Sequence, residues 1–126
     1  VRLPARTLAY IGDAVYELGL RMAHVRSGID NAGRLHDSLV EHVNASAQAR
    51  IFDKVFAELG EEDQQLLKTW RNAKTPARYG SGTRAEYARA TALEAWVAWL
   101  FLTGQNDRLD RLFEMITGQI EVSGNS

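Results

Sequence analysis

Residues 8–18 read LAYIGDAVYEL, a stretch whose apolar positions follow helical spacing but whose centre suits a helix poorly. The residues that share one apolar helical face are Leu8, Ile11, Val15 and Leu18. Between them stand Gly12 and Asp13. A glycine inside a helix costs about 1 kcal/mol relative to alanine, and a carboxylate among apolar neighbours is costly unless its charge is compensated. A helix that keeps both raises the question of what compensates the charge of the acid and what packs against the glycine.

The composition indicates one domain of ordinary globular type. The chain has 126 residues, 45% of them hydrophobic and 25% charged. It contains no cysteine, which excludes disulfides, thiolate metal sites and thiol nucleophiles and favours a reducing compartment. No apolar run reaches the roughly 18 residues of a membrane span, and no signal-peptide pattern is present. We therefore expect a cytoplasmic protein with no membrane partner.

Charge is distributed unevenly, although the whole chain carries only −1. Residues 68–89 contain six lysines or arginines and one acid, Glu86, which gives this segment +5 and leaves −6 on the remainder. This net charge argues against a strongly basic nucleic-acid binder. A basic segment on an acidic body still attracts a polyanion locally.

Helical periodicity and capping signals predict an all-α fold, with one domain over residues 1–120 and a frayed polar tail at 121–126. The expected helices span about 4–26, 32–42, 45–59, 61–74, 84–104 and 106–116. Asn44 is the expected N-cap of the third helix, and Gly60 is its stop. The segment TPARYGSGT is the one clear loop. No strand pattern, internal repeat or second domain is evident.

The fifth predicted helix is the second unusual stretch. Residues 90–102 are apolar almost all round, as in a central buried helix, and their only acid is Glu94. Two long helices therefore each carry one carboxylate in apolar sequence, Asp13 and Glu94. One interpretation is that both are buried acids satisfied by an arginine or by backbone donors. The other is that both face one cavity and share a divalent cation, since hard oxygen ligands suit magnesium or manganese.

Four motifs taken together resemble the ribonuclease III family: LAYIGDAVYE, LHDSLVEHVNASAQA, RNAK and YARATALEAWVAWLFLTG, in this order and at suitable distances. The resemblance is to the compact branch, the Mini-ribonuclease III proteins, and extends from about Leu8 to Leu112. It implies a helical endonuclease domain that acts as a homodimer and hydrolyses double-stranded RNA with magnesium. It further implies maturation of large-subunit (23S) ribosomal RNA in bacteria. Full-length relatives carry a separate double-stranded-RNA-binding domain, which we do not expect here.

The resemblance also assigns the metal site. Asp13 and Glu94 match two of four acidic positions in the larger enzymes and become the implied catalytic and magnesium-binding residues. The other two positions are Ala9 and Thr91, a departure that resembles the compact branch. We therefore expect water or RNA phosphate to supply more of the metal shell. The resemblance places Gly12 at a dimer interface, against the partner subunit; close packing within one subunit is the alternative.

Three further residues share a helical face with the two acids. Glu17 follows the first acid by four positions and either supports a water of the metal site or, in the preferred interpretation, pairs with Arg21. Tyr87 and Thr91 precede Glu94 by seven and three positions. They are candidates for hydrogen bonds around the metal ligands, although Tyr87 alternatively caps the core.

Histidine and tryptophan give weaker signals. The sequence contains no Glu-x-x-His, which argues against a ferritin-like di-iron bundle, and no His-Glu-x-x-His, which argues against a zinc protease. His36 and His42 are interpreted as structural donors. Asn31 and His36 also resemble a pattern of the compact branch, which implies a position near the RNA groove. Trp70 is expected to anchor the core.

The basic segment is the candidate RNA-binding surface. One lysine and two arginines of this segment are assigned to neutralise phosphates. One asparagine and one tyrosine can bond sugars or groove edges, as recognition of A-form RNA by shape requires. The residues assigned to this role are Arg71, Asn72, Lys74, Arg78 and Tyr79. A solvated charged surface is the alternative.

Two other classes of function stay open at the level of sequence. One is a catalytically silent dimer that keeps the ribonuclease III fold and binds RNA through the basic segment. The other is a helical interaction module without an RNA role, against which the clustered +5 charge argues. Metal-dependent cleavage by the purified protein separates the enzyme from both.

Overall fold

The computed structural model describes residues 2–29, 31–74 and 82–118, and within these ranges it consists of six helices and no strand. The helices are α1 (Ala5–Arg26), α2 (Ala32–Val43), α3 (Ala45–Glu58), α4 (Glu61–Arg71), α5 (Arg84–Leu102) and α6 (Asn106–Ile116). The all-α fold and all six helices are therefore confirmed. Most of the predicted loop and the predicted tail lie outside the described residues. No helix in the described part is long and apolar enough to cross a membrane.

The centre of the molecule is α5, as its all-round apolar sequence predicted. Much of its middle is buried, with each of these side chains at most 2% exposed: Ala92, Leu93, Ala95, Trp96, Val97, Ala98 and Leu100. Its most extensive packing is against α1, and α3, α4 and α6 cover further sides of α5. The two helices that carry the lone acids are therefore the two that pack most extensively together.

Local capping fixes where the helices that form the site begin. The side chain of Asn44 accepts a hydrogen bond from the backbone N–H of Ala47, which confirms the predicted cap of α3. Thr83 and Glu86 form a reciprocal capping box that starts α5. The fourth helix is shorter than predicted, because it ends at Arg71 and Asn72 forms its C-cap. Asparagine is a poor residue for a helix interior, which explains the earlier end.

Gly12 is buried where α1 crosses α5. A Cβ atom at this position would overlap the backbone carbonyl group of Glu94. The close neighbour is therefore α5 of the same chain, and the assignment of Gly12 to a dimer interface was wrong. The error has a physical reason, since a sequence shows that a glycine permits close approach but not which backbone approaches it.

Candidate active site

A cavity of about 410 Å³ opens where the first halves of α1 and α5 meet the junction between α2 and α3. The residues that line it are Arg6, Ala9, Tyr10, Asp13, Val43, Ala45, Gln48, Tyr87, Ala90, Thr91 and Glu94. The structure thus brings Asp13 and Glu94 to one cavity from two different helices. Ala9 and Thr91, which stand where the larger enzymes have acids, line the same cavity.

The two acids differ in environment but are coupled. Asp13 is exposed at the cavity, whereas Glu94 is only partly exposed. Burial, together with a hydrogen bond and like charge from Asp13, raises the pKa of Glu94 from 4.5 to about 8. Such a pair holds a proton between its carboxyl groups when no cation is present, because two like charges in contact disfavour full ionisation. The buried-acid interpretation required an arginine or backbone donors, and no arginine contributes to this pKa shift.

This donor set fits a divalent cation. Two carboxyl groups supply hard oxygen ligands, and their mutual repulsion is the charge that a cation compensates. Within residues 2–29, 31–74 and 82–118, no cluster of three His, Cys, Asp or Glu side chains has a geometry that suits a metal ion. The protein therefore offers few ligands in its described part. A cation held here retains water or takes oxygen atoms from its substrate.

The raised pKa of Glu94 predicts how stability of the metal-free protein depends on pH. Because the folded state binds this proton more tightly than the unfolded state, the free energy of unfolding falls as pH rises from about 4.5 to about 8. In a chelator, we expect a loss of at most about 5 kcal/mol across this range, and a lower melting temperature at pH 8.5 than at pH 6.5. Glu94→Gln should flatten this slope. If the free energy of unfolding depended on pH equally in the wild type and in Glu94→Gln, the attribution of this dependence to Glu94 would be contradicted.

Gln48 is a site residue that the sequence analysis missed. It lies on α3, is 5% exposed, and its side chain hydrogen-bonds Glu94, which partly offsets the rise in the pKa of that acid. An amide that donates to the carboxylate fixes its orientation without competing for a cation. A signal was present, since Gln48 stands between Ala47 and Ala49 in a buried stretch of α3 where an amide needs a partner.

Glu17 does not form the predicted structural pair. No ion pair joins Glu17 to Arg21 among the described residues, so the preferred interpretation was wrong. Instead the carboxylate of Glu17 contributes to the raised pKa of Glu94. The helical spacing allowed both outcomes, and an exposed pair of long side chains gains too little to hold one geometry.

Tyrosine residues lie both in the cavity lining and in the core between α1 and α2. Tyr87 and Thr91 both line the cavity, where they can reach groups around the acids. Tyr16, which the sequence analysis left unassigned, is fully buried, and its hydroxyl donates a hydrogen bond to the carbonyl oxygen of His42 at 2.8 Å. Burial and the nearby charge of Glu94 raise the pKa of Tyr16 far above its ordinary value. Tyr16 therefore stays protonated and ties the end of α2 to α1.

The histidines do not line the cavity. His42 Nδ1 contacts the carbonyl oxygen of Ser38 at 2.9 Å, and its ring lies against that of the buried His24. His36 is exposed on α2, and Asn31 caps that helix through hydrogen bonds from two backbone N–H groups. Trp70 is buried, as predicted. His42 thus has the structural role expected of it.

The basic segment is only partly described. Arg71 ends α4, and its Nε donates to the side-chain oxygen of Asn72 at 3.2 Å. Asn72 and Lys74 are exposed, and none of these three residues lines the cavity. Arg78 and Tyr79 lie outside the described residues. The assignment of this segment to RNA binding stays a prediction.

Comparison with known proteins identifies the fold and the motifs. A model of the family described as the ribonuclease III domain matches residues 6–105. Mini-ribonuclease 3 of Symbiobacterium thermophilum is 38% identical over 94% of this chain and 92% of its own length. Mini-ribonuclease 3 of Enterococcus faecalis is 34% identical over 88% of this chain and 86% of its own length. A crystal structure of a protein from Fusobacterium nucleatum, 29% identical, superposes with a TM-score of 0.76 over 90% of this chain and 92% of that one.

The helical fold and the matching family model thus define a ribonuclease domain, and the chain belongs to the ribonuclease III family of endoribonucleases. Its curated relatives named above carry the name Mini-ribonuclease 3. The resemblance to this compact branch that the sequence motifs indicated is confirmed.

Proposed function

We propose that the protein is a magnesium-dependent endoribonuclease that hydrolyses double-stranded RNA, with Asp13 and Glu94 as the residues that hold the cation. The observation that carries this proposal is the pair of carboxyl groups, one from α1 and one from α5, that line a single cavity of a ribonuclease III fold. Manganese suits the same oxygen ligands and is expected to substitute. The products would carry 5′-phosphate and 3′-hydroxyl ends.

The polar residues around the two acids then have defined tasks. A cation held by Asp13 and Glu94 would compensate negative charge at the phosphate and would make water a stronger nucleophile. Asp13 is the more exposed acid, and it would be the first of the two to meet a substrate phosphate. Glu94 lies deeper, and Gln48 fixes its orientation by donating a hydrogen bond. Tyr87 and Thr91 are placed to hydrogen-bond groups around these ligands.

The substrate class is tested by offering the purified protein three polymers of one sequence: duplex RNA, single-stranded RNA and duplex DNA. With magnesium, we expect short duplex products from the first only. Equal cleavage of single-stranded RNA would contradict the proposed specificity. Binding of duplex RNA without any cleavage would support the silent RNA-binding alternative instead.

We infer that the working form is a homodimer in which each subunit cuts one strand. An apolar stripe on α1 supports this, since Leu18, Met22 and Val25 lie on one helical face and are 59%, 50% and 58% exposed. A second copy of the chain would cover them. The proposed biological role is maturation of large-subunit ribosomal RNA precursors in the bacterial cytoplasm.

Charge placed on the α1 stripe should separate the subunits. We expect Met22→Glu to shift the protein from dimer to monomer in sedimentation at micromolar concentration, because an interface must desolvate the new carboxylate. The matched control is Val40→Glu, which changes an exposed valine on α2 and should leave the dimer intact. A wild-type monomer at this concentration would contradict the dimer proposal.

Removing charge from the basic segment should weaken RNA binding in a salt-dependent way. For the triple variant Arg71→Ala, Lys74→Ala, Arg78→Ala, the slope of log affinity against log salt should fall by roughly 0.7–0.9 for each phosphate that the variant no longer neutralises. The measurement is binding of duplex RNA in calcium over a salt series. The control replaces exposed arginines of other helices by alanine: Arg26, Arg34 and Arg111. Equal slopes for both triple variants would show that the segment is only a solvated surface.

A further inference from the structure

The catalytic cavity has one cationic residue on an otherwise neutral or acidic wall. Arg6 is the only lysine, arginine or histidine among the described residues that line it. Two carboxyl groups lie in the same cavity, and their charge repels an incoming phosphate unless a positive charge offsets it. The positive charge of Arg6 can therefore offset the repulsion that a substrate phosphate meets in this cavity.

Arg6 and Asp13 lie along one face of α1. They are seven residues apart, which is close to two full turns, and this spacing separates their Cα atoms by about 10 Å along the helix axis. At this separation Arg6 can contact a phosphate other than the one that lies closest to the carboxyl groups. The first turn of α1 contains no acidic residue that would neutralise it.

Among the residues that the structure describes, none pairs with the charge of Arg6, whose side chain is exposed. Nor is Arg6 among the charges that shift the pKa of Glu94, which come from Asp13 and Glu17. A guanidinium at the cavity without a carboxylate partner keeps all of its donors for a ligand.

We propose that Arg6 binds a backbone phosphate that neighbours the scissile one on the same RNA strand, and that it thereby sets which phosphodiester bond lies over Asp13 and Glu94. The inference rests on the proposed function. A guanidinium suits this task because its planar fork donates two parallel hydrogen bonds to phosphate oxygens. Arg6 is a positioning residue, since it contacts the substrate backbone away from the bond that breaks.

The test compares Arg6→Gln and Arg6→Lys with the control Arg111→Gln, which removes an exposed arginine on α6 that does not line this cavity. The substrate is a duplex RNA of defined sequence, end-labelled so that each cut is mapped to the nucleotide. We expect Arg6→Gln to raise KM roughly tenfold, as for loss of one charged hydrogen-bonding group, and to lower the salt slope of binding by roughly 0.7–0.9. Its cuts should spread to neighbouring bonds.

The variant Arg6→Lys distinguishes the effect of the positive charge from the effect of the planar hydrogen-bonding group. Arg6→Lys should keep the salt slope, because it keeps the charge, but should still spread the cuts, because an ammonium group lacks the planar fork. If Arg6→Gln matches Arg111→Gln in KM, slope and cut position while the wild-type protein cleaves normally, this inference alone is overturned. If the wild-type protein neither binds nor cleaves duplex RNA, the proposed function fails and the inference fails with it.

Discussion

Asp13→Asn is expected to lower the rate of duplex RNA cleavage by a factor of at least about 10³, since the carboxylate contributes a ligand to a cation that supplies several kcal/mol of catalysis. Asparagine keeps the shape of the side chain and removes its charge. Asp13 is exposed, so the melting temperature should not fall and the oligomeric state should not change. Rates are measured at saturating RNA in magnesium, so that weaker binding does not imitate a catalytic defect.

The control for this variant is Asp110→Asn, which removes an exposed carboxylate of α6 that lies outside the cavity. It should cleave at the wild-type rate. Glu94→Gln should behave like Asp13→Asn, with partial recovery at high manganese. Near wild-type cleavage by Asp13→Asn would mean that the metal ligands lie elsewhere.

Gly12→Ala is expected to be among the most destabilising single-methyl changes in the molecule. The added Cβ would overlap the backbone carbonyl of Glu94, and a backbone cannot rotate away as a flexible side chain does. Separation of α1 from α5 should cost at least about 1–3 kcal/mol, the usual range for overpacking. It should also displace Asp13 relative to Glu94, so activity should fall even at temperatures where the variant is folded.

Gly60→Ala provides the comparison. Gly60 has an ordinary backbone conformation, with φ at −72°, and a Cβ atom there would meet nothing within 4 Å. Its cost should be at most about 1 kcal/mol. Both variants are compared by urea unfolding monitored by circular dichroism. Equal stability of Gly12→Ala and Gly60→Ala would show that the backbones of α1 and α5 do not approach each other closely at Gly12.

The fold was predictable because its signals are local. The periodicity of α1, the uniform apolar character of α5, and caps such as Asn44 each depend on residues close in sequence. Two lone acids in apolar helices, Asp13 and Glu94, were also visible locally, but the residues alone left two interpretations open and the family resemblance assigned both acids to one metal site. The exception is the end of α4. The helical pattern continued to position 74, but the helix ends at Arg71 because Asn72 is unfavourable in a helix interior.

The contacts between helices were not predictable in the same way. The neighbour of Gly12 is the backbone of α5, about 80 positions away, and no property of the glycine itself indicates which helix that is. Gln48 reaches Glu94 across the α3–α5 packing. The spacing of Glu17 allowed two interactions, one with the metal site and one with Arg21. In the structure its charge contributes to the raised pKa of Glu94, and the described residues show no ion pair between Glu17 and Arg21. Such outcomes depend on tertiary packing, which local spacing does not encode.

The central claim is that Asp13 and Glu94 form one divalent-cation site for cleavage of duplex RNA. Its most direct test is a cleavage time course on a long RNA duplex with wild-type protein, Asp13→Asn and Glu94→Gln, each in magnesium and in excess chelator. The account predicts discrete short products with 5′-phosphate ends only for wild-type protein in magnesium. Wild-type cleavage that persists in the chelator, or cleavage by both variants at the wild-type rate in magnesium, would contradict it.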